Sequence, residues 1–200
     1  MTDFDPEFLI NIQIRLEYDL DAHERLIVRP GSEEQANCVI YQYDGGGRLF
    51  YRHDLPHPVQ KALQGFDPVL AFFEPARVDA VLGLPIQKQR NIYQASVFTY
   101  CPVPEEYPLV QVEGEAFIIR SLYPDARHGV PVGDATQPAA IAWSVRQDEQ
   151  AAEVAVETQP AFRGRGYARQ VVAAWAASQF ENQRVAFYSH RARNYASLAL

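Results

Sequence analysis

Two arginines alternate with two glycines in Arg163-Gly164-Arg165-Gly166, and two carboxylates, Glu153 and Glu157, stand four residues apart shortly before them. Glycine lets the backbone approach a ligand, and guanidinium supplies charge with a fork of donors. At the start of a helix, such a loop converges N–H groups, the positive helix end and two cations on one anion. A phosphate or pyrophosphate suits that chemistry. The carboxylates are of a type that accepts or gives a proton, although solvated strand-face carboxylates are the plainer reading of both.

These residues need elements to hold them. Glu153-Val154-Ala155-Val156-Glu157-Thr158 alternates polar and apolar side chains with the period of a half-buried strand, which Pro160 ends. Glu153 and Glu157 therefore share one strand face. After the loop, Tyr167, Val171 and Trp175 recur at a spacing of four beside Ala168, Val172 and Ala176, the apolar stripe of a helix running to about Phe180. The unit reads strand, basic glycine loop, helix.

Two other nucleotide motifs fail on the same residues. A G-x-G-x-x-G fingerprint from Gly164 needs glycine or alanine where Arg169 stands, and no G-x-x-x-x-G-K-[ST] is present. The other glycine cluster, Asp44-Gly45-Gly46-Gly47, lies between two strand-like runs and reads as a hairpin turn.

Arg163-x-x-Gly166-x-Ala168, with Thr158-x-Pro160 before it and a helix after it, resembles the R/Q-x-x-G-x-G/A signature of the GNAT superfamily of N-acetyltransferases. The likeness continues through the next strand, Arg184-Val185-Ala186-Phe187-Tyr188-Ser189, and a helix start at Asn194-Tyr195-Ala196-Ser197-Leu198, covering about residues 139 to 200. It implies a twisted mixed sheet flanked by helices, an α/β fold, with acetyl-CoA as co-substrate. The backbone around Val156 and Thr158 would pair with the pantetheine arm as a strand does with an added peptide. Residues Arg163, Gly164, Arg165, Gly166, Tyr167 and Ala168 would hold the pyrophosphate, and Asn194 and Ser197 would lie near the cofactor.

The implied reaction needs a neutral amine. An amine with a lysine-like pKa of about 10.4 is protonated at pH 7, and freeing it costs on the order of 4–5 kcal/mol. Relatives often place a basic carboxylate on the cofactor strand, frequently acting through water, and Glu153 lies nearest that place, with Glu157 second. Many also use a tyrosine on the last helix as general acid, beyond the point where this chain stops. Tyr188, Ser189 and Tyr195 are nearby substitutes, each more readily read as packing or capping residues. The family also continues into further strands past that helix. Here the expectation is that the chain is cut short, or that its N-terminal part or a partner chain, as in a homodimer, covers the sheet edge.

Composition limits the alternatives. The 200 residues are 48% hydrophobic, enough for one good core or two small ones. A formal charge of −7 with pI near 5.2 argues against a nucleic-acid binder, and acidity near a pocket suits a cationic amine. Cys38 and Cys101 have no metal-ligand spacing and read as buried thiols. His53 and His57 flank Pro56, which prevents one helical face from presenting both, so no metal is expected. His190 reads as a cap of the following helix. The N-terminus is acidic and no apolar run approaches the roughly 18 residues of a membrane span, so the expectation is a cytoplasmic protein with no membrane partner.

Residues 1–105 carry no part of the signature and read as a mixed α/β region. Asp5-Pro6 resembles a cap with proline at N1, followed by Leu9, Ile12 and Leu16 on one face. Helices are expected after Pro58 and from Glu74-Pro75 to Gly83, with Val78, Val81 and Leu82 inward, and a strand from Ile92 to Tyr100. The proline-rich segment 102–108 marks a boundary, with the acetyl-CoA-binding domain at 106–200 beginning in a hairpin about Glu113-Gly114. The functional expectation is transfer of acetyl to a small-molecule or peptide amine. The alternative is a non-catalytic acyl-CoA sensor or interaction module.

Overall fold

The computed structural model describes residues 4–28, 36–84, 93–97, 110–120, 138–194 and 197. The proline-rich segment 102–108, Cys101 and Tyr195 lie outside them. The chain divides into two compact units, Asp3–Asn91 and Ile92–Leu200.

In the first unit, α1 (Pro6–Glu17) starts where the Asp5 carboxylate accepts the Glu7 amide at 3.2 Å, with Pro6 preset for the first turn. Its inward stripe is Ile10 and Ile14, with Ile12 and Leu16 also buried. Leu9, expected on that stripe, is only half-buried, because Ile10 and Ile14 are the pair that meets the hairpin core. Strands β1 (Cys38–Tyr43) and β2 (Gly46–Tyr51) form that antiparallel hairpin about Asp44-Gly45.

Adjacent strand residues point to opposite faces. Phe50 accordingly joins Ile10, Ile14 and Leu26, while Tyr51 joins Leu63, Ala71 and Val78. Those last three belong to α2 (His57–Gln64), α3 (Pro68–Phe73) and α4 (Pro75–Leu82). The hairpin is thus covered on both faces. Helix α3 was not anticipated. It is six residues long, too short for a periodic stripe, and the Asp67 carboxylate caps it by accepting from the amides of Val69 and Leu70.

The second unit is a six-stranded mixed sheet with one long helix. Its strands are β3 (Tyr93–Val97), β4 (Gln111–Glu113), β5 (Ala116–Ile119), β6 (Ala140–Gln147), β7 (Ala151–Thr158) and β8 (Val185–Arg191), in the spatial order β3-β8-β7-β6-β5-β4. Only β7 and β8 run parallel, joined through α5 (Tyr167–Glu181) as a crossover helix. This is the mixed α/β, GNAT-like sheet that the sequence resemblance implies.

The helix seals one face. Val171, Val172, Trp175 and Ala176 of α5 pack with Phe117, Ile119, Ala140, Ala142, Ala152, Val154, Ala186 and Tyr188 from four strands. Alanines at 140, 142, 152 and 186 are small, and the fully buried Trp175 shares their cluster, an interlocking of large and small side chains. The Trp175 indole N–H donates to Ser144 Oγ at 3.0 Å, so the ring enters the core without an orphaned donor.

The structure answers how the sheet edge beside β8 is covered. Strand β3, from before the proline-rich segment, pairs antiparallel with β8 from Tyr93↔Arg191 to Val97↔Phe187. The expected division at 105/106 and the observed one at 91/92 differ by this strand, which long-range pairing draws into the C-terminal unit.

Candidate functional site

The parallel ladder between β7 and β8 has three rungs, Ala151↔Val185, Ala152↔Ala186 and Glu153↔Phe187. Both strands continue past it, β7 to Thr158 and β8 to Arg191. Each stays paired on its outer edge, β7 with β6 up to Ala140↔Thr158 and β8 with β3 up to Tyr93↔Arg191. Along residues 154–158 and 188–191 the two inner edges no longer pair with each other. Their backbone N–H and C=O groups have no strand partner there, which is the condition under which an extended ligand can add to a strand. Val156 and Thr158 both lie on this stretch.

At the end of β7 the chain makes a short 3₁₀ turn, Pro160–Phe162, whose Phe162 is 1% exposed and anchors the loop. Arg163, Gly164, Arg165 and Gly166 then run exposed into α5. The Arg163 Nε donates back to the Thr158 carbonyl at 3.3 Å, and the Arg165 guanidinium lies 5.6 Å from the centroid of the Phe162 ring. Tyr167 packs its ring 6.3 Å from the same Phe162.

Gly164 and Gly166 have φ of +72° and +75°, the left-handed region that L side chains resist. Gly166 is the residue before the first turn of α5, and no side chain caps that helix. The amides of Tyr167, Ala168 and Arg169 therefore keep the outward donors that a helix start leaves over. Thr158 adds a buried hydroxyl with no hydrogen-bond partner at the foot of the loop. Amides, a helix N-terminus and two arginines fit a pyrophosphate in kind.

The carboxylates take different positions. Val154 and Val156 pack toward α5, so alternation puts Glu153 and Glu157 together on the opposite face, as expected. Glu157 is exposed. Glu153 is 3% exposed, and each of its oxygens is engaged: Arg146 donates to Oε2 at 2.5 Å, and the Ser189 hydroxyl donates to Oε1. A bulge between Ser144 and Arg146 makes the first of these contacts. Without it Val145 would stand opposite Glu153, whereas the skipped residue leaves Val145 half exposed and brings Arg146 into register.

Sequence reading missed the engagement of Glu153 by Arg146 and Ser189. Nothing local in the sequence marks the bulge that brings Arg146 into register. Ser189 could have been found by counting alternation in β8, which puts it on the face of Phe187, the rung opposite Glu153.

The other anticipated residues are less concentrated. Asn194 accepts the Ser197 amide on its Oδ1 at 3.4 Å, which makes it the cap of a helical turn that includes Ser197. Tyr188 is buried on the α5 face. His190 is buried with its ring 5.7 Å from that of Tyr188 and its Nδ1 3.0 Å from the Arg191 carbonyl; capping Asn194 rather than His190 starts the following turn. Among the described residues no group of three or more His, Cys, Asp or Glu is arranged to hold a metal, and no helix is long and apolar enough to cross a membrane.

Comparison with known proteins agrees with this geometry at one point. Residues 132–200 match the model of the family described as FR47-like protein. No curated protein and no solved structure matches the chain. Those residues hold the strand, the arginine-glycine loop, the crossover helix and the parting parallel strands, and their match to a GNAT-related, N-acetyltransferase-like family supports the resemblance that the sequence carries.

Proposed function

We propose that the C-terminal unit binds acetyl-CoA and transfers its acetyl group to a primary amine of a small molecule or peptide, by direct attack in a ternary complex. The observation that carries this reading is the ladder that stops at Glu153↔Phe187 while β7 and β8 run on, directly before an arginine-glycine loop at a helix N-terminus. The inner edge around Val156 and Thr158, which has no strand partner, is the partner for the amide groups of the pantetheine arm, with the Thr158 carbonyl exchanging its contact to Arg163 for the ligand. Residues 163–168 hold the pyrophosphate, and Asn194 and Ser197 flank the cofactor from the last turn.

Bound acetyl-CoA supplies the activated thioester. The protein must orient the amine, accept its proton and exclude water. Glu153, at the last rung, and Glu157, further along the same face, place negative charge where an ammonium would arrive. A thiol with a pKa of about 8.5 departs as thiolate without an assigned acid, so this reading requires no tyrosine acid on the last helix.

One observation favours the second reading, a non-catalytic acyl-CoA sensor: both oxygens of Glu153 are already engaged. Calorimetry with acetyl-CoA, CoA and ATP, followed by thiol-release assays over a panel of primary amines, separates the cases. Binding with turnover supports transfer, and binding without turnover supports the sensor. Absence of CoA binding by folded protein overturns both.

A further inference from the structure

Glu153 is 3% exposed at the end of the β7–β8 ladder, so its carboxylate is shielded from direct approach by an amine, and each oxygen already accepts a hydrogen bond. Arg146 takes Oε2 and the Ser189 hydroxyl takes Oε1. Ser189 differs from Glu153 in position and exposure. It lies on β8 two residues past the last rung, on the stretch whose inner edge faces the gap between the strands, and it is partly exposed where Glu153 is not. Its hydroxyl proton is committed to Glu153, which leaves the lone pairs of Oγ as acceptors. The only route from the gap to the carboxylate that these contacts offer runs through that oxygen.

We propose that Ser189 is a catalytic residue that relays the acceptor's proton to Glu153; the proposal rests on the acetyl-transfer reading above. The ammonium N–H bond breaks and its proton passes to Ser189 Oγ. The Ser189 O–H bond breaks in the same step and its proton passes to Glu153 Oε1. The products are a neutral amine, an unchanged serine and a protonated Glu153, so charge and atoms balance. Arg146 acts through Glu153 as a positioning residue, holding the other oxygen so that Oε1 faces Ser189. Among the described residues the charged side chains on this face are Arg146 from β6, Glu157 from β7 and Arg191 from β8, with the Glu113–Arg120 pair on the far side of the sheet beyond β6; His190 points to the opposite face.

The test uses the full chain with Ser189→Ala and Ser189→Thr, read by CoA affinity in calorimetry and by rate against pH. The acceptors are an alkylamine and an arylamine that is already neutral at pH 7. Ser189→Ala is expected to keep CoA affinity within about threefold while the alkylamine rate at pH 7 falls about 100-fold, the size of a lost proton-transfer group. The loss should shrink as pH rises and be small for the arylamine, and Ser189→Thr should restore most of the rate. A Ser189→Ala enzyme with the wild-type rate on alkylamine across the pH range overturns the relay while leaving transfer intact. Wild-type protein that binds CoA but acetylates neither amine overturns the transfer reading and the relay with it. If Ser189→Ala binds CoA poorly, the serine serves the cofactor site, and the relay is overturned.

Discussion

Glu153 of β7 stands opposite Phe187 of β8 in the last rung of their parallel ladder, and beyond that pair the two strands share no further pairing. A buried carboxylate thus marks the point where a sheet of six strands opens between its second and third strands. The features proposed for donor and acceptor meet at this pair.

The carboxylate's role is separable from cofactor binding. Glu153→Gln keeps the shape and an acceptor for Ser189 but removes the charge and the place for a proton. Acetyl transfer is expected to fall about 100-fold, with CoA affinity changed by less than about threefold. A wild-type rate at every pH would remove Glu153 from the chemistry.

The loop before α5 should decide donor binding. Gly166→Asp is tolerated by the backbone better than most changes at φ +75°, since aspartate adopts left-handed conformations at modest cost. A Cβ there meets no protein atom within 4 Å, apart from its chain neighbours. Its carboxylate would instead face the pyrophosphate and repel it. The expected result is a folded variant with no measurable CoA binding by calorimetry.

Packing under α5 makes a prediction independent of function. Ser144→Ala leaves the indole N–H of the fully buried Trp175 without its acceptor, at a cost of about 1–3 kcal/mol. Urea unfolding followed by tryptophan fluorescence should show a lower midpoint with an unchanged slope. No change in midpoint would mean that the indole finds another partner.

The N-terminal unit should lose stability in acid through Asp21. Burial pushes this carboxyl up, but hydrogen bonds from the Arg25 guanidinium and from the amides of Arg25 and His23 outweigh it and bring it from 3.8 to about 2. A carboxylate with a lowered folded pKa stabilises the fold above its unfolded pKa, and the gain is lost as pH falls through the folded one. The contribution is thus complete above about pH 5 and is lost progressively down to about pH 1. Partial exposure reduces it to about 1 kcal/mol. The stability gap between wild type and Asp21→Asn is expected to narrow by more than half of that amount between pH 5 and pH 2.5, measured by urea unfolding.

Local pattern was legible where the cause is local. Period-two alternation gave β7, the four-residue spacing of Val171 and Trp175 gave α5, and Asp5-Pro6 gave the start of α1. Short elements were less so. Helix α3 has too few residues to show a period, and on α1 the expected Ile12 and Leu16 are buried while Leu9 gives way to Ile10 and Ile14, the pair that meets the hairpin.

The sequence by itself determined the strand, arginine-glycine loop and helix, because alternation, left-handed glycines and an uncapped helix start are properties of neighbouring residues. Only the tertiary structure decided that β3 closes the edge of β8, that β7 and β8 part after Glu153, and that a bulge at Val145 lines up Arg146 with a buried carboxylate held also by Ser189. Each of these depends on register between segments far apart in the chain, and a register shift of one residue sends every side chain to the other face.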